Sequence, residues 1–241
     1  MKSTYVDPNR NNGTQSEIPS ITVNPQNIIV EGYQKFSINR ETNFITFDNR
    51  SSKFETIKFC LKRYHDFQKC DTFLDIGCNA GLTTLIAYQQ GFKKGLCVDH
   101  DNEYLEIAKL IFRLLDYDLS TNFKNFHFGD NLIEINYEKY DFVFCGAIIH
   151  WIFNLTSDFR SFNSVFEYLS QLDFRYLLIE WISENDNCIK SFNHITRNKK
   201  QGDEEYCTSN FENSLLNYFS IEEKLKTGIE SRTFYILVKK N

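Results

Sequence analysis

The chain has 241 residues, enough for one full-sized domain and cramped for two. Hydrophobic residues make up 41% and charged residues 24%, the balance of an ordinary globular protein, while a net charge of −5 argues against a broad basic face for nucleic acid and leaves room only for a local basic pocket. Seven cysteines show no CxxC spacing and no histidine at ligand spacing, so they read as reduced, buried thiols rather than a zinc site or a disulfide framework.

Residues 1–28 are polar, rich in Asn and Ser, without period and without the apolar core of a signal peptide; a flexible tail is expected. No apolar run reaches the length of a membrane span, so the expected setting is the cytoplasm, or the nucleus by diffusion, with no membrane partner. Residues 29–70 gain aromatics and read as a small N-terminal cap. Its second half, 51–67, carries Phe54, Ile57, Cys60, Leu61 and Tyr64 at helical spacing.

From residue 71 to 241 strands and helices alternate. Strand "TFLDIG" precedes a helix over 80–90, strand "GLCVDH" a helix over 102–115, and strand "NFHFGD" a connection to strand "YDFVFCGAI". A helix over 158–172, strand "RYLLIEW" and the helical "NFENSLLNYF" follow. Continuous apolar strands of about five residues between helices of ten to fifteen give βαβ units and a parallel sheet covered on both faces. The last two strands, "SIEEKLK" and "RTFYILVKK", are joined by "TGIES", a link too short for anything but an antiparallel hairpin. The fold class is α/β: a Rossmann-like, doubly wound, seven-stranded sheet, mostly parallel, closed by a C-terminal antiparallel hairpin.

The stretch "FLDIGCNAGLTTL" places a carboxylate and two glycines at the mouth of the first strand. Ligands of open α/β sheets bind outside the carboxyl ends of the strands. Gly77 and Gly81 allow close backbone approach, and Asn79 accepts positive φ more readily than other side chains. A dinucleotide fingerprint would be GxGxxG without a preceding acid, because a carboxylate repels pyrophosphate. Asp75 instead suits an ammonium group. Asp99, 24 residues on at the end of the second strand, is placed to accept hydrogen bonds from ribose hydroxyls. A nucleoside with an amino-acid tail satisfies both acids: S-adenosylmethionine. The DxGxNxG motif, the acid of "VDHD", the acid of "HFGD" and the closing hairpin together resemble a class I S-adenosylmethionine-dependent methyltransferase over residues 71–241. The resemblance implies that Asp75, Gly77 and Gly81 line the methionine end, that Asp99 holds the ribose, and that Asp130 with Asn131 meets the adenine amino group. Cys78, Asn79 and His100, flanking these, complete the cofactor set. Asn79 stands where the family usually has a glycine. A NAD-dependent enzyme is the rival on the same kind of sheet.

The methyl acceptor is less legible. The strand-four exit "FCGAIIHWIF" lacks the Asn/Asp-Pro-Pro-aromatic stretch of N6-adenine or glutamine enzymes, Cys145 is not preceded by Pro, and no Lys-Asp-Lys-Glu set is present. The layout of His150-Trp151, Glu180-Trp181 and a later Asn-His is similar to a bacterial-type methyltransferase group that includes a nodulation-associated branch. It is more weakly similar to enzymes that methylate RNA 5′-phosphate ends. His150 is the candidate general base, or else a packed histidine at a strand end. Trp151, Glu180, Trp181 and His194 are the candidate substrate contacts, each with a structural alternative. Arg197, Lys199 and Lys200 beside His194 form a basic patch or a solvated loop. Tyr33 and Gln34 of the cap are placed to close over the donor. A small-molecule or glycan-like acceptor ranks first, RNA second and protein third. A methyltransferase fold serving as a non-catalytic interaction module is the rival from another class.

Overall fold

The computed structural model describes residues 19–47, 51–136, 139–155, 159–191 and 204–240. The chain divides into two compact units, one within residues 2–126 and one over 127–241.

The first unit begins with a four-stranded antiparallel sheet of order β1-β2-β3-β4: β1 Ser20–Val23, β2 Asn27–Glu31, β3 Phe36–Asn39 and β4 Ile45–Phe47. Two of its three turns are made by asparagines. Asn24 Oδ1 accepts from the N–H groups of Gln26 and Asn27 (3.0 and 2.7 Å), and Asn39 Oδ1 from those of Glu41 and Thr42 (3.1 and 3.0 Å). Ile28, Val30, Phe36, Ile38 and Ile45 form the buried face. Among the described residues regular structure starts at Ser20, so the expected tail of residues 1–28 is corrected from its C-terminal end; residues 1–18 lie outside those described. The cause is that β1 is an edge strand with three of four residues exposed, so it carries little apolar signal.

Helix α1, Ser51–Gln68, follows, with Phe47 of β4 stacked on its Phe54 at 4.7 Å between centroids. Then come β5 Thr72–Ile76, α2 Leu82–Gln89, β6 Lys94–Asp99, α3 Asn102–Leu114 and β7 Thr121–Asn125, with β5, β6 and β7 mutually parallel through β6. Helix α2 is apolar nearly all round and buries Leu82 to Tyr88, whereas α3 buries one stripe from Tyr104 to Phe112 and is capped by Asp101, whose side chain accepts from Glu103 N–H. Strand β7 ends at Asn125, so the expected strand "NFHFGD" is mostly the loop beyond it. The register pairs Asp99 with Asn125, and the strand stops where its neighbour does.

The second unit holds β8 Tyr140–Cys145, α4 Ile149–Leu155, α5 Phe162–Ser170, β9 Phe174–Ile182, α6 Asn187–Ser191, α7 Thr208–Tyr218, β10 Phe219–Lys226 and β11 Arg232–Lys239. Strands β8 and β9 are parallel; β11 runs antiparallel to both β9 and β10. Its core is aromatic: Phe162, Phe166, Trp181, Phe211 and Phe219 are all buried. The apolar run "IIHWIF", read as part of a strand exit, turns into α4 after Ala147 adopts φ 54°. The order of the larger sheet is β10-β11-β9-β8-β5-β6-β7, seven strands, mostly parallel, with the antiparallel terminal hairpin.

Candidate functional site

In the first unit, the segment between β5 and α2 is shaped by three left-handed residues. Gly77 (φ 76°), Asn79 (φ 53°) and Gly81 (φ 78°) alternate with residues of ordinary backbone. The N–H groups of Gly77 and Cys78 both donate to Val98 O (2.9 and 3.0 Å), which fixes the loop across the end of β6. Gly81 is required twice. A Cβ there would stand 2.8 Å from the Phe112 ring, and its φ disfavours any side chain. Asn79 does more than replace a glycine. Its Oδ1 accepts from Ala80 N–H at 3.0 Å, and its side chain lies near enough to the Tyr104 phenol to bear on its ionisation.

Asp99 is 7% exposed and is held open by the backbone: Oδ2 accepts from Asn79 N–H (2.8 Å), Oδ1 from Asp101 N–H (3.0 Å). The half-exposed His100 places Nδ1 3.2 Å from Oδ1. Asn125 ties the strand end from the other side, donating to the carbonyl oxygens of Asp99 and His100. Asp75 is deeper, at 1% exposure, and its Oδ2 accepts from Thr84 Oγ1 at 2.9 Å. Burial, helped by the negative charge of Asp99 and opposed by the Thr84 hydrogen bond, pushes the Asp75 carboxyl up to about 7. Buried Cys97 donates to the same Thr84 hydroxyl at 3.2 Å, and burial pushes the neighbouring Cys78 thiol well up, so Cys78 remains a thiol. No lysine or arginine among the described residues pairs with Asp75 or Asp99.

Thr84 and Tyr104 were not singled out from sequence. Thr83-Thr84 in an otherwise apolar helix was a signal for the first; nothing local distinguishes Tyr104 from a core residue of an amphipathic helix.

In the second unit, Asp130 and Asn131 lie exposed beyond residue 127. Asp130 Oδ2 accepts from His127 N–H (2.8 Å), and Asn131 Oδ1 caps a single 3₁₀ turn through Ile133 N–H (3.0 Å). His150 sits in the first turn of α4, 3% exposed, its ring 5.2 Å from that of the half-buried Trp151. Glu180 and Trp181 take the structural alternative rather than the place of substrate contacts. The Trp181 ring stacks on Phe211 and Tyr206 (4.1 and 4.8 Å), and Nε1 donates to Thr208 Oγ1. At 2% exposure it is a core residue joining β9 to α7. The Glu180 side chain is fully buried with Oε1 3.6 Å from an Arg232 nitrogen, and Arg232 Nε donates to Asp186 Oδ2 at 2.8 Å. Burial opposes ionisation of Asp186, but hydrogen bonds from Arg232, Ser231 and Cys188 N–H outweigh it and hold the carboxyl well below its usual range. His194, Arg197, Lys199 and Lys200 lie outside the described residues.

Among the described residues no group of three or more His, Cys, Asp and Glu is placed to hold a metal ion, and no helix is long and apolar enough to cross a membrane.

Neither a family model nor a curated protein matches the chain. Solved structures do match its fold. The magnesium protoporphyrin IX methyltransferase ChlM of Synechocystis PCC 6803, solved with bound S-adenosylmethionine, aligns at TM-score 0.56 and 15% identity over 80% of this chain and 82% of that one. The N-methyltransferase NodS of Bradyrhizobium japonicum WM9, in complex with S-adenosylhomocysteine, aligns at 0.55 and 11% over 80% and 90%. The bifunctional kinase-methyltransferase WbdD aligns at 0.53 and 15% over 79% of this chain, which spans only 39% of the length of WbdD. At such identities the likeness establishes the fold, and that fold is the class I methyltransferase fold.

Proposed function

We propose that this chain is an S-adenosylmethionine-dependent methyltransferase whose donor is held at the β5 and β6 strand ends, and whose acceptor is a small molecule or a glycan-like metabolite. The observation that carries the reading is the pair of buried acids, Asp75 and Asp99, joined to backbone and hydroxyl donors with no lysine or arginine partner among the described residues. Buried carboxylates without a cation are costly, and a ligand that is itself cationic relieves them. A pyrophosphate would worsen the repulsion, which weighs against a dinucleotide.

The residues fit the donor group by group. Asp99 offers oxygens already oriented by Asn79 and Asp101, suited to accept from a ribose hydroxyl. Gly77, Cys78, Asn79 and Gly81 present backbone rather than side chain to the ligand. Asp75 supplies negative charge for an ammonium, and His100 flanks Asp99. When bound, S-adenosylmethionine supplies a methyl group on a sulfonium, transferred by in-line displacement. What the protein contributes is alignment, worth on the order of 7 kcal/mol or more when two reactants are well oriented. His150 is the proposed base for an acceptor that must lose a proton, and Trp151, beside it and half-buried, the proposed acceptor contact. Asp130 and Asn131 remain the proposed adenine contacts. Trp181 and Glu180 are assigned to the core and to the Arg232 ion pair instead.

Calorimetric titration with S-adenosylmethionine, S-adenosylhomocysteine and NAD tests the donor. Micromolar binding of the first two, none of NAD, and loss of both in Asp99→Ala are expected. Binding of NAD alone would refute the reading. A screen of amine, hydroxyl and carboxyl acceptors, with RNA 5′ ends as a further arm, then separates an enzyme from a binding-only module.

A further inference from the structure

The loop joining β2 to β3 contains a polar atom without a partner. Gln34 is half-buried, and its side-chain oxygen Oε1 is fully buried with no hydrogen-bond donor among the described residues. Buried polar atoms in folded proteins are paired almost without exception, so an orphaned acceptor calls for a donor from elsewhere.

Three links fix where this loop lies. The N–H of Tyr33, the residue before Gln34, donates to Tyr104 Oη at 2.8 Å. The same phenol stands close enough to the side chain of Asn79 and to the Asp99 carboxylate for both to bear on its ionisation. The N–H of Asn79 in turn donates to Asp99 Oδ2 at 2.8 Å. Gly32 makes the approach possible, since its φ is +139° and a Cβ at that position would stand 2.8 Å from Tyr104 Oη. The cap loop is thereby moored to a phenol that stands beside Asn79 and the carboxylate proposed to hold the ribose. No residue but glycine at 32 allows this mooring without displacing the phenol.

Charge decides what meets Gln34. Asp99 presents only acceptors, and so does the orphaned Oε1; a group that serves both must be rich in donors. A ribose diol has two O–H groups, one for each. The methionine carboxylate has none.

We propose that Gln34 Oε1 accepts a hydrogen bond from a ribose hydroxyl of the bound nucleoside, so that the β2–β3 loop forms a wall of the donor site and helps to select a ribonucleoside. The inference rests on the donor reading above and adds a residue from outside the βαβ units to it. Tyr104 acts through the loop as a positioning residue.

The test is equilibrium binding of S-adenosylhomocysteine and of its 2′-deoxy and 3′-deoxy analogues to the full chain and to Gln34→Met, which keeps the length and removes the amide. For the natural nucleoside the substitution is expected to weaken binding about tenfold, the worth of one well-made hydrogen bond. For one of the two deoxy analogues the same substitution changes binding less than threefold, because the hydroxyl it would have met is gone. Equal losses for all three ligands, or no loss for any, would overturn the proposal. Thermal unfolding of the ligand-free variant guards against misfolding, and an unchanged or raised Tm is expected because an orphaned buried group has been removed. Should Gln34→Met not fold, Tyr104→Phe provides the second reading. It frees the loop without touching Gln34 and is expected to weaken the natural nucleoside several-fold while narrowing its advantage over the same deoxy analogue; an unaltered advantage would refute the assignment. If the unsubstituted chain binds no sulfur nucleoside, the donor reading fails and this inference with it. If it binds and Gln34→Met binds equally well, only this inference fails.

Discussion

Both units bury carboxylates at or just past the ends of parallel strands, and they neutralise them in opposite ways. In the second unit Glu180 and Asp186 share a built-in cation, Arg232, and Asp186 is held ionised by it. In the first unit Asp75 and Asp99 are met by a threonine hydroxyl and by backbone N–H groups, which orient the oxygens without cancelling their charge. The first arrangement carries its own counter-charge and belongs to the framework. The second, under the function proposed above, receives its counter-charge from a cationic, donor-rich ligand. Similar residue types in similar topological places thus divide into structure and site according to whether the protein provides the counter-charge.

Removing the cation should do most damage. Arg232→Met strands two buried acids, and unfolding titrations are expected to show a loss of about 3–5 kcal/mol. The folded fraction should still bind S-adenosylhomocysteine; lost affinity at unchanged stability would reverse the division between framework and site. Asp99→Ala is predicted to do the opposite. A charge-assisted contact to a ribose hydroxyl is lost, so affinity should fall about ten- to a hundredfold. Stability should change little by comparison.

Gly81→Ala forces a Cβ towards the Phe112 ring at a left-handed position, for an expected loss of about 1–3 kcal/mol in thermal or denaturant unfolding. The smallest effect on affinity is set by pH. With the Asp75 carboxyl near 7, only its ionised fraction attracts an ammonium, so S-adenosylhomocysteine should bind about tenfold more tightly at pH 8 than at pH 6, and Asp75→Asn should flatten that rise. Stability carries the reverse sign. A carboxyl raised in the folded state favours folding while protonated, and that contribution is lost as pH rises from about 4 through 7. Asp75→Asn should therefore gain on the unsubstituted chain across that window, by roughly 4 kcal/mol at most.

The donor loop was legible because its determinants are local. A carboxylate, two glycines and an asparagine within seven residues dictate a left-handed turn at a strand end wherever they occur, and Asp99 lies at the end of the very next strand. The environment of Glu180 and Trp181 was not legible, because it is set by Arg232, Thr208 and Phe211, which lie far along the chain. Helix α4 escaped because a short apolar run does not distinguish a helix from a buried strand. The strand before Asp130 was misplaced for a related reason: "NFHF" has the aromatic content of a strand, whereas the actual β7, "TNFKN", is a polar edge strand defined by its register with β6. Gln34 and Tyr104 fall between these cases. The cap was expected to close over the donor, but the phenol that moors it is indistinguishable in sequence from its buried neighbours on α3.

The most direct measurement is calorimetric titration of S-adenosylhomocysteine into the full chain at pH 7, in two buffers of different ionisation enthalpy, beside Asp75→Asn. Micromolar binding with proton release that disappears in the variant is predicted, because an incoming ammonium lowers the carboxyl raised by burial. Binding without any difference in proton release would contradict the role of Asp75, and no binding at all would contradict the claim that these uncompensated acids await a cationic nucleoside.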